Sequence, residues 1–258
     1  MATPDQPAES PPVFICGRYR LALNRPLIMG IVNVTPDSFS GDGMLLSSGA
    51  KATQQAIAYA ERLAHQGADL LDIGGESTRP GAAAISEQQE IDRIGPVLDS
   101  VLRLGLPISV DTRRPAVMRA VIAQGVDLIN DVNGFRDPQA MDAVSQSGCG
   151  LCIMHMQGEP ATMQAAPAYQ DVVAEVEAFL LAQRQQLIDR GVLRERILID
   201  PGFGFGKTLH HNLQLMQAIS RFSNHQPVLV GVSRKSMIGV LTGESRASER
   251  VSGSVAAA

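Results

Sequence analysis

The chain has 258 residues, of which 45% are hydrophobic and 19% are charged, and its formal net charge at pH 7 is −4. A chain of this length buries enough apolar surface for a substantial core. Its acidic balance argues against non-specific nucleic-acid binding, which needs a basic surface, so an anionic substrate must be held by local donors.

The beginning of the chain and its cysteines bear on compartment and redox chemistry. Residues 1–12 have neither a basic start nor an apolar run, so we expect a disordered tail before a single domain over residues 13–258, and no signal or transit peptide. The sequence contains no stretch of about 18 apolar residues, so no membrane span is predicted.

Three cysteines are too few for a disulfide scaffold, and a cytoplasmic protein is expected. Cys149 and Cys152 form a C-x-x-C, which we interpret as small hydrophobes in a buried strand and not as a redox or metal pair.

The remaining sequence alternates between strand and helix patterns after a short hairpin predicted over residues 13–23. Seven short apolar, β-branched runs predict strands at residues 27–34, 70–74, 108–111, 128–132, 151–156, 197–200 and 228–232. Helical periodicity is found at residues 50–65, 91–104, 172–190 and 213–222, and Ser86 with Gln89 has the spacing of a capping box before the second of these.

Near-continuous apolar strands separated by helices are typical of a parallel sheet that is covered on both faces. No G-x-G-x-x-G follows the first strand, as an open dinucleotide-binding sheet would have. The sequence therefore predicts an α/β protein, specifically a (β/α)8 TIM barrel with an N-terminal hairpin.

Polar residues end every predicted strand. One such residue is usually a turn former or a helix cap, but seven strands that all end this way predict a polar pocket, because the carboxyl ends of barrel strands meet at one mouth. The residues are Asn33, Asp72, Asp111, Asn130, Asp131, His155, Asp200, Ser233, Arg234 and Lys235.

Three glycine-rich loops lie next to these ends. Residues 35–43 and 74–81 have the composition of mobile covers over a pocket. Residues 200–208 resemble a P-loop but have Pro201 where the first glycine is required, so we predict a tight loop near a flat ligand, with Phe205 along its wall. His155, His210 and His211 lack a partner carboxylate at a metal-binding spacing, and we interpret them as structural histidines.

Seven segments together resemble the dihydropteroate synthases, in the order in which that family has them. The two signature segments are residues 30–40 and 72–81, and residues 110–112, 129–131, 154–158, 200–207 and 233–236 follow. The resemblance implies a pterin-binding TIM barrel that joins a dihydropterin pyrophosphate to p-aminobenzoate, with Mg²⁺ as the cofactor. It also implies a homodimer, a folate-synthesis enzyme and a sulfonamide target.

The resemblance also implies site residues, position by position. The implied pterin-binding residues are Asp111, Asn130, Asp200, Phe205 and Lys235. The implied p-aminobenzoate-binding residues are Phe39, Thr78, Arg79, Pro80 and Ser236. Pyrophosphate is expected at Asn33, Thr78 and Arg79, with Asn33 also meeting the metal. The catalytic set is Asn33, Asp37, Arg79 and Lys235.

Two departures from the family pattern affect what we expect of this chain. Asp42 lies two residues after Ser40, where many members have the aspartate directly after the serine. The family's last strand carries an Arg-x-His that is not found in this sequence, and the sequence ends within an apparent helix at residues 254–258. We therefore expect the last strand to be missing and the chain as given to be weakly active or inactive.

Three other functions fit parts of the pattern. A corrinoid-linked methyltransferase would use the same pterin pocket, bind methyltetrahydrofolate and ignore p-aminobenzoate. A Schiff-base aldolase would use Lys235 and be trapped by borohydride with a carbonyl substrate. A pterin-binding pseudoenzyme or an inactive fragment would bind the ligand without turnover.

Overall fold

A computed structural model of the protein describes residues 12–35, 50–77, 84–159 and 162–258. The tail predicted over residues 1–12 therefore lies outside the described residues except for Pro12. Within the described part of the chain, no helix has the length and apolar composition that crossing a membrane requires.

A parallel sheet of six strands forms the centre of the fold, and its strands lie side by side in chain order. Six of the seven predicted strands are thereby confirmed, three of them with shifted ends. The strands are β3 (Met29–Asn33), β4 (Leu70–Gly74), β5 (Ile108–Asp111), β6 (Leu128–Asp131), β7 (Gly150–Met154) and β8 (Ile197–Asp200). They follow an antiparallel pair, β1 (Val13–Cys16) and β2 (Tyr19–Ala22).

Helices follow the strands and cover the outer face of the sheet. They are α1 (Ala50–His65), α2 (Glu87–Val101), α3 (Pro115–Gln124), α4 (Pro138–Ser145), α5 (Val172–Asp189), α6 (Leu209–Gln217), α7 (Ile219–Ser223), α8 (Ser236–Thr242) and α9 (Val251–Ala257). The α/β alternation predicted from the sequence is confirmed. Successive helices from α1 to α4 pack on one another, as they do around a barrel.

Helix ends follow from local chemistry. The predicted capping box is present, since the Ser86 hydroxyl accepts from the Gln89 N–H and the Gln89 side chain accepts from the Ser86 N–H. Thr208 and His211 form a second box, so α6 begins four residues before the predicted 213–222 helix. That prediction is also wrong in its continuity, because the backbone at Ala218 (φ −97°, ψ 9°) leaves the helical region and separates α6 from α7.

The seventh predicted strand, residues 228–232, is reduced to a single parallel bridge between Val228 and Ile199. Two hydrogen bonds hold this segment to β8, from the Ile199 N–H to the Pro227 carbonyl (3.0 Å) and from the Leu229 N–H to the Ile199 carbonyl (2.9 Å). Among the described residues no strand pairs with its other side, and Val230 is 38% exposed. Beyond this bridge the segment makes no further ladder pairs with β8, so the strand prediction is wrong here.

The side chains that face the inside of the barrel form two layers. Leu70, Leu128, Cys152 and Leu198 form an apolar layer near the amino-terminal ends of their strands. Because strand side chains alternate between faces, the residues two positions further along β4, β6 and β8 face the same side, and they are Asp72, Asn130 and Asp200. A polar layer therefore lies on top of an apolar one.

The N-terminal hairpin, which was predicted over residues 13–23, closes the apolar layer from below. Phe14 and Cys16 on β1 pack against Leu70, Leu128, Cys152 and Leu198. Cys16, Cys149 and Cys152 are all free and buried, and burial raises the pKa of the Cys152 thiol well above its ordinary value. A buried, protonated thiol behaves as a small hydrophobe, and the burial predicted for both cysteines is observed. Cys152 lies in β7 as predicted, whereas Cys149 lies one residue before that strand.

Replacing Gly150 by alanine tests the contact between hairpin and barrel. A β-carbon at Gly150 would lie 2.7 Å from the Phe14 ring and 3.1 Å from the Ile15 carbonyl oxygen. We expect Gly150→Ala to lower the free energy of unfolding by about 1–3 kcal/mol through overpacking. The matched control is Gly148→Ala, which meets no atom within 4 Å and should stay within about 0.5 kcal/mol of the parent in urea unfolding. Equal effects of the two substitutions would contradict the packing seen at β1.

Candidate active site

The carboxyl ends of neighbouring strands bring several polar side chains together. Strand register places Asn33 beside Gly74, Gly74 beside Asp111, and Asp111 beside Asn130. A β-carbon placed on Gly74 would lie 3.4 Å from Asn33 Oδ1 and 3.8 Å from Asp111 Cβ. Asn33 and Asp111 therefore flank a position where glycine leaves room, and three predicted site residues share one edge of the mouth.

Asp200 and Lys235 meet on the opposite side of the strand series. A β-carbon placed on Gly231 would lie 3.5 Å from Lys235 Nζ and 4.0 Å from Asp200 Oδ2. The Lys235 ammonium also donates to the Phe203 carbonyl and lies 4.7 Å from the centroid of the Phe205 ring. The predicted pterin-binding residues Asp200, Phe205 and Lys235 are therefore brought together.

Asn130 and Asp72 form the floor between these two groups. Asn130 Nδ2 donates to Asp72 Oδ2 at 3.3 Å, and both side chains are buried. This bond fixes the amide, so that its oxygen, Oδ1, is left as the free acceptor. Within the described residues Asn130 Oδ1 is buried and has no hydrogen-bond partner. Asp72 was predicted at the rim, but it lies two residues before the end of β4. Its contact with the pocket is indirect, through the hydrogen bond that orients Asn130.

Burial dominates the charge states of the carboxyl groups here. Burial raises the pKa of Asp111 well above its ordinary value, and the nearby Asp72 and Asp131 carboxyls raise it further. Burial also raises the pKa of Asp200, although the positive Lys235 and the Gly202 N–H oppose the shift. The pocket therefore carries acceptors whose ionised forms are poorly solvated by the protein, and a ligand with N–H donors would stabilise them.

Asp131 has a structural role, despite its place at a strand end. Its carboxylate oxygens accept the N–H groups of Asn133 and Phe135, each at 2.7 Å. Burial nevertheless raises the pKa of Asp131 to about 6. Because both oxygens are used within the β6–α4 connection, Asp131 is the turn former that the sequence left open as an alternative.

The glycine-rich loop at residues 200–208 is tight, as predicted. Gly202, Gly204 and Gly206 all have positive φ values, between 62° and 80°. A β-carbon at Gly202 would collide with the His155 carbonyl oxygen, and one at Gly206 would lie 2.5 Å from the Gln157 carbonyl oxygen. The close neighbour that requires glycine at these two positions is thus the backbone after β7, and not a flat ligand.

Lys207 is a site-supporting residue that sequence reasoning missed. Its buried ammonium donates to the carbonyls of His155 (3.2 Å) and Phe205 (3.0 Å) and lies 3.0 Å from His155 Nδ1. Burial lowers the pKa of Lys207 to about 7, and burial together with the positive Lys207 lowers that of His155 to about 2. His155 is neutral and structural, as predicted. The available signal was a lone lysine inside an otherwise apolar glycine loop.

A second missed group anchors the start of the loop at residues 74–81. Glu76 Oε1 accepts from Arg114 Nη2 at 2.7 Å, and Glu76 Oε2 lies 3.3 Å from Arg113 Nε. Arg114 Nε also lies 3.5 Å from Glu90, and Arg113 Nη1 lies 3.3 Å from Glu159. The signal was a pair of arginines two and three residues after the Asp111 strand end, together with a glutamate in the rim loop.

Some predicted site residues lie outside the described part of the chain. Ser236 is described, and it is the exposed first residue of α8, next to Lys235. Among the described residues no three His, Cys, Asp or Glu side chains are grouped so as to hold a metal ion. The predicted residues that fall outside are Asp37, Phe39, Asp42, Thr78, Arg79 and Pro80.

Comparisons with known protein families and known proteins all point to the same family. The sequence profile of the family described as "Pterin binding enzyme" matches residues 29–258. A dihydropteroate synthase from Neisseria meningitidis serogroup B is 51% identical over 252 residues, which are 95% of this chain and 87% of the relative. One from Escherichia coli is 45% identical over 240 residues, covering 92% of this chain and 83% of the relative.

Solved structures agree in fold. A Xanthomonas albilineans dihydropteroate synthase with 4-aminobenzoic acid superposes with a TM-score of 0.87 at 47% identity, over 96% of this chain and 87% of the other. A Burkholderia cenocepacia dihydropteroate synthase complexed with 7,8-dihydropteroate has a TM-score of 0.84 at 47% identity, over 96% and 86%. The TIM-barrel class predicted from the sequence is thereby confirmed.

The buried neutral His155 predicts a specific acid sensitivity. Its pKa is about 2 in the folded state and 6.5 when unperturbed, so below pH 6.5 the unfolded chain binds a proton that the folded chain does not. The free energy of unfolding must therefore fall as the pH falls through this window. Between pH 7 and 5 the parent should lose about 2 kcal/mol more than His155→Gln, which keeps an acceptor for Lys207 but does not titrate. Urea unfolding of both proteins at the two pH values measures the difference, and parallel losses would contradict the buried neutral imidazole.

Proposed function

This chain belongs to the dihydropteroate synthases of the pterin-binding enzyme family, and we propose that it condenses 6-hydroxymethyl-7,8-dihydropterin pyrophosphate with p-aminobenzoate. The products are 7,8-dihydropteroate and pyrophosphate. The observation that carries the proposal is the unpaired, buried Asn130 Oδ1 between the Asp111 and Asp200 carboxyls, with Lys235 at the same mouth.

A pterin ring supplies what this pocket lacks. Its edge offers an amino group beside a ring N–H, which the Asp200 carboxylate can accept as a pair, while Asn130 Oδ1 accepts a further donor. Lys235 would donate to the acceptor side of the ring, and Phe205 would lie along its face. A ring without these donors would leave buried acceptors unpaired and would be rejected strongly.

The reaction needs no protein nucleophile. By the family resemblance, pyrophosphate leaves first and the p-aminobenzoate nitrogen then attacks the pterin methylene carbon. Asp111 and Asp200 hold the ring that carries the developing positive charge, and their buried acceptors favour it electrostatically. The rim residues Asp37, Phe39, Thr78, Arg79 and Pro80 would cover the pyrophosphate and the aryl ring, and Ser236 would contact the p-aminobenzoate carboxylate.

The residues at the mouth fit a Mg²⁺ ion that is bound mainly through the substrate. Mg²⁺ prefers oxygen ligands and usually takes one or two from the protein, with the rest from water and phosphate. Asn33 offers one exposed amide oxygen at the carboxyl end of β3. When bound, the ion would neutralise charge on the leaving pyrophosphate.

We also propose a cytoplasmic homodimer. Exposed apolar side chains on neighbouring parts of α8 and α9 support a covered surface there: Val240 (66% exposed), Leu241 (53%) and Val255 (73%). Light scattering of the purified chain tests this assembly, and a monomer at all concentrations would contradict it.

Asp200→Asn tests the pterin pocket. The substitution keeps the shape but replaces a charged acceptor with an amide, so a charge-assisted hydrogen-bond pair is lost. We expect the Kd for the dihydropterin pyrophosphate to rise about 10- to 100-fold, which is the range for such a bond. The control is Asp142→Asn, whose side chain is 71% exposed and which should leave the Kd unchanged. If Asp200→Asn and Asp142→Asn have equal Kd values for the dihydropterin pyrophosphate, Asp200 is not a pterin ligand.

Asn33→Ala tests the metal assignment. If Asn33 supplies a ligand, the variant should need about ten times more Mg²⁺ to bind pyrophosphate, while its affinity for a pterin without phosphates stays unchanged. Asn224→Ala, which removes an exposed amide far along the chain, is the matched control. Calorimetric titration with pyrophosphate at several Mg²⁺ concentrations makes the measurement, and an unchanged Mg²⁺ requirement would contradict the assignment.

The activity itself is tested by pyrophosphate release from the dihydropterin pyrophosphate. Release that rises with p-aminobenzoate would establish the synthase. Tight binding of methyltetrahydrofolate with no response to p-aminobenzoate would favour a methyltransferase, and pterin binding without release would indicate a binding protein that does not catalyse.

A further inference from the structure

Arg234, the residue before Lys235, has a strained backbone conformation. Its φ of 57° is in the left-handed region, where the β-carbon of a non-glycine residue crowds its own backbone. Its side chain is exposed. A strained residue persists only where its surroundings hold it, so the contacts to its backbone indicate what fixes the turn.

The contacts come from α9 and the segment before it. The Arg234 N–H donates to Ser254 Oγ at 2.9 Å, and Arg250 Nη1 donates to the Arg234 carbonyl at 3.0 Å. The Ser254 hydroxyl donates in turn to the Arg250 carbonyl at 2.6 Å, and Ser254 is 8% exposed. Both backbone polar groups of the strained residue are thus bound by the same two side chains, which we name the α9 clamp.

Arg250 is itself held rigidly. Its Nε donates to the Glu244 carbonyl at 2.9 Å and its Nη2 to the Ser245 carbonyl at 2.5 Å. A β-carbon on Gly239 would lie 2.5 Å from Arg250 Nε, so the guanidinium packs directly on the α8 backbone. A side chain with this many fixed bonds can impose a conformation on its neighbour.

The turn that the clamp fixes determines where Lys235 goes. Lys235 is the N-cap residue of α8, and its N–H donates to the Val232 carbonyl at 3.2 Å. Its ammonium reaches the Phe203 carbonyl, the Phe205 ring and the side of Asp200. If Arg234 relaxed to a negative φ, the peptide that leads into Lys235 would rotate and the ammonium would leave these partners.

We propose that Ser254 and Arg250 are positioning residues, which hold Lys235 in the pterin pocket by stabilising the left-handed conformation of Arg234. The inference rests on the proposed function, since it assigns the clamp to the pterin side of that site. It predicts that the clamp is needed only because residue 234 is not glycine, which adopts a positive φ unaided.

A double-mutant cycle tests this dependence, with pterin-6-carboxylate as a fluorescent probe of the full chain. We expect Ser254→Ala to raise the Kd for the probe about three- to tenfold, the worth of one hydrogen bond. In an Arg234→Gly background the same Ser254→Ala change should alter the Kd less than about twofold, because the strain is gone. Ser254→Thr, which keeps the hydroxyl, should retain most of the affinity.

The controls separate positioning from loss of helix stability. Ser223→Ala removes a comparable hydroxyl-to-carbonyl bond, to Ser220 (2.9 Å), far from the pocket, and should leave the Kd unchanged. The positioning role would be contradicted if Ser254→Ala changed the Kd equally in the parent and in Arg234→Gly. A change in the melting temperature with no change in the Kd would also contradict it. If the parent chain does not bind the probe, the proposed function fails first and the inference falls with it.

Discussion

The alternation of side chains along parallel strands is the constraint on which the site depends. On β4, β6 and β8 the first inward residues are apolar and are closed by the hairpin, and the next inward residues are Asp72, Asn130 and Asp200. The apolar layer excludes water from below, so the polar layer loses solvent on one side. The same burial that stabilises the barrel therefore raises the pKa values of its acidic groups.

This polar layer is held in place by neighbouring residues that do not themselves contact the proposed ligand. Asp72 orients the Asn130 amide, Lys207 fixes the backbone after β7, and Glu76 is bound by two arginines at the base of the rim loop. Each of these groups is buried or half-buried and has partners that restrict it. A polar pocket that is pre-organised in this way loses little entropy when a flat ring with matching donors enters.

The sequence predicted the strands, the α/β class and most strand-end residues, because periodicity and turn chemistry are local. It failed where the outcome depends on a neighbour in space. Residues 228–232 have the composition of a strand but make only a single bridge to β8, and Asp131 looks like a site residue but accepts the N–H groups of Asn133 and Phe135. The glycines at 202 and 206 suggested a ligand, while the structure places carbonyls of residues 155 and 157 against them.

Residues that do not line the pocket thus determine the positions of those that do. The glycine loop can bring Phe205 to the pocket because Gly202 and Gly206 let it approach the backbone after β7, and Lys207 then ties the two segments together. On the other side of Asp200, Arg234 accepts a left-handed backbone that α9 stabilises. In both places hydrogen bonds to another segment hold the backbone, and at Arg234 they hold a conformation that is unfavourable for a non-glycine residue. Asp200 and Lys235 therefore meet only when the elements on either side of β8 are both packed in place, so assembly of the ligand site is coupled to completion of the fold.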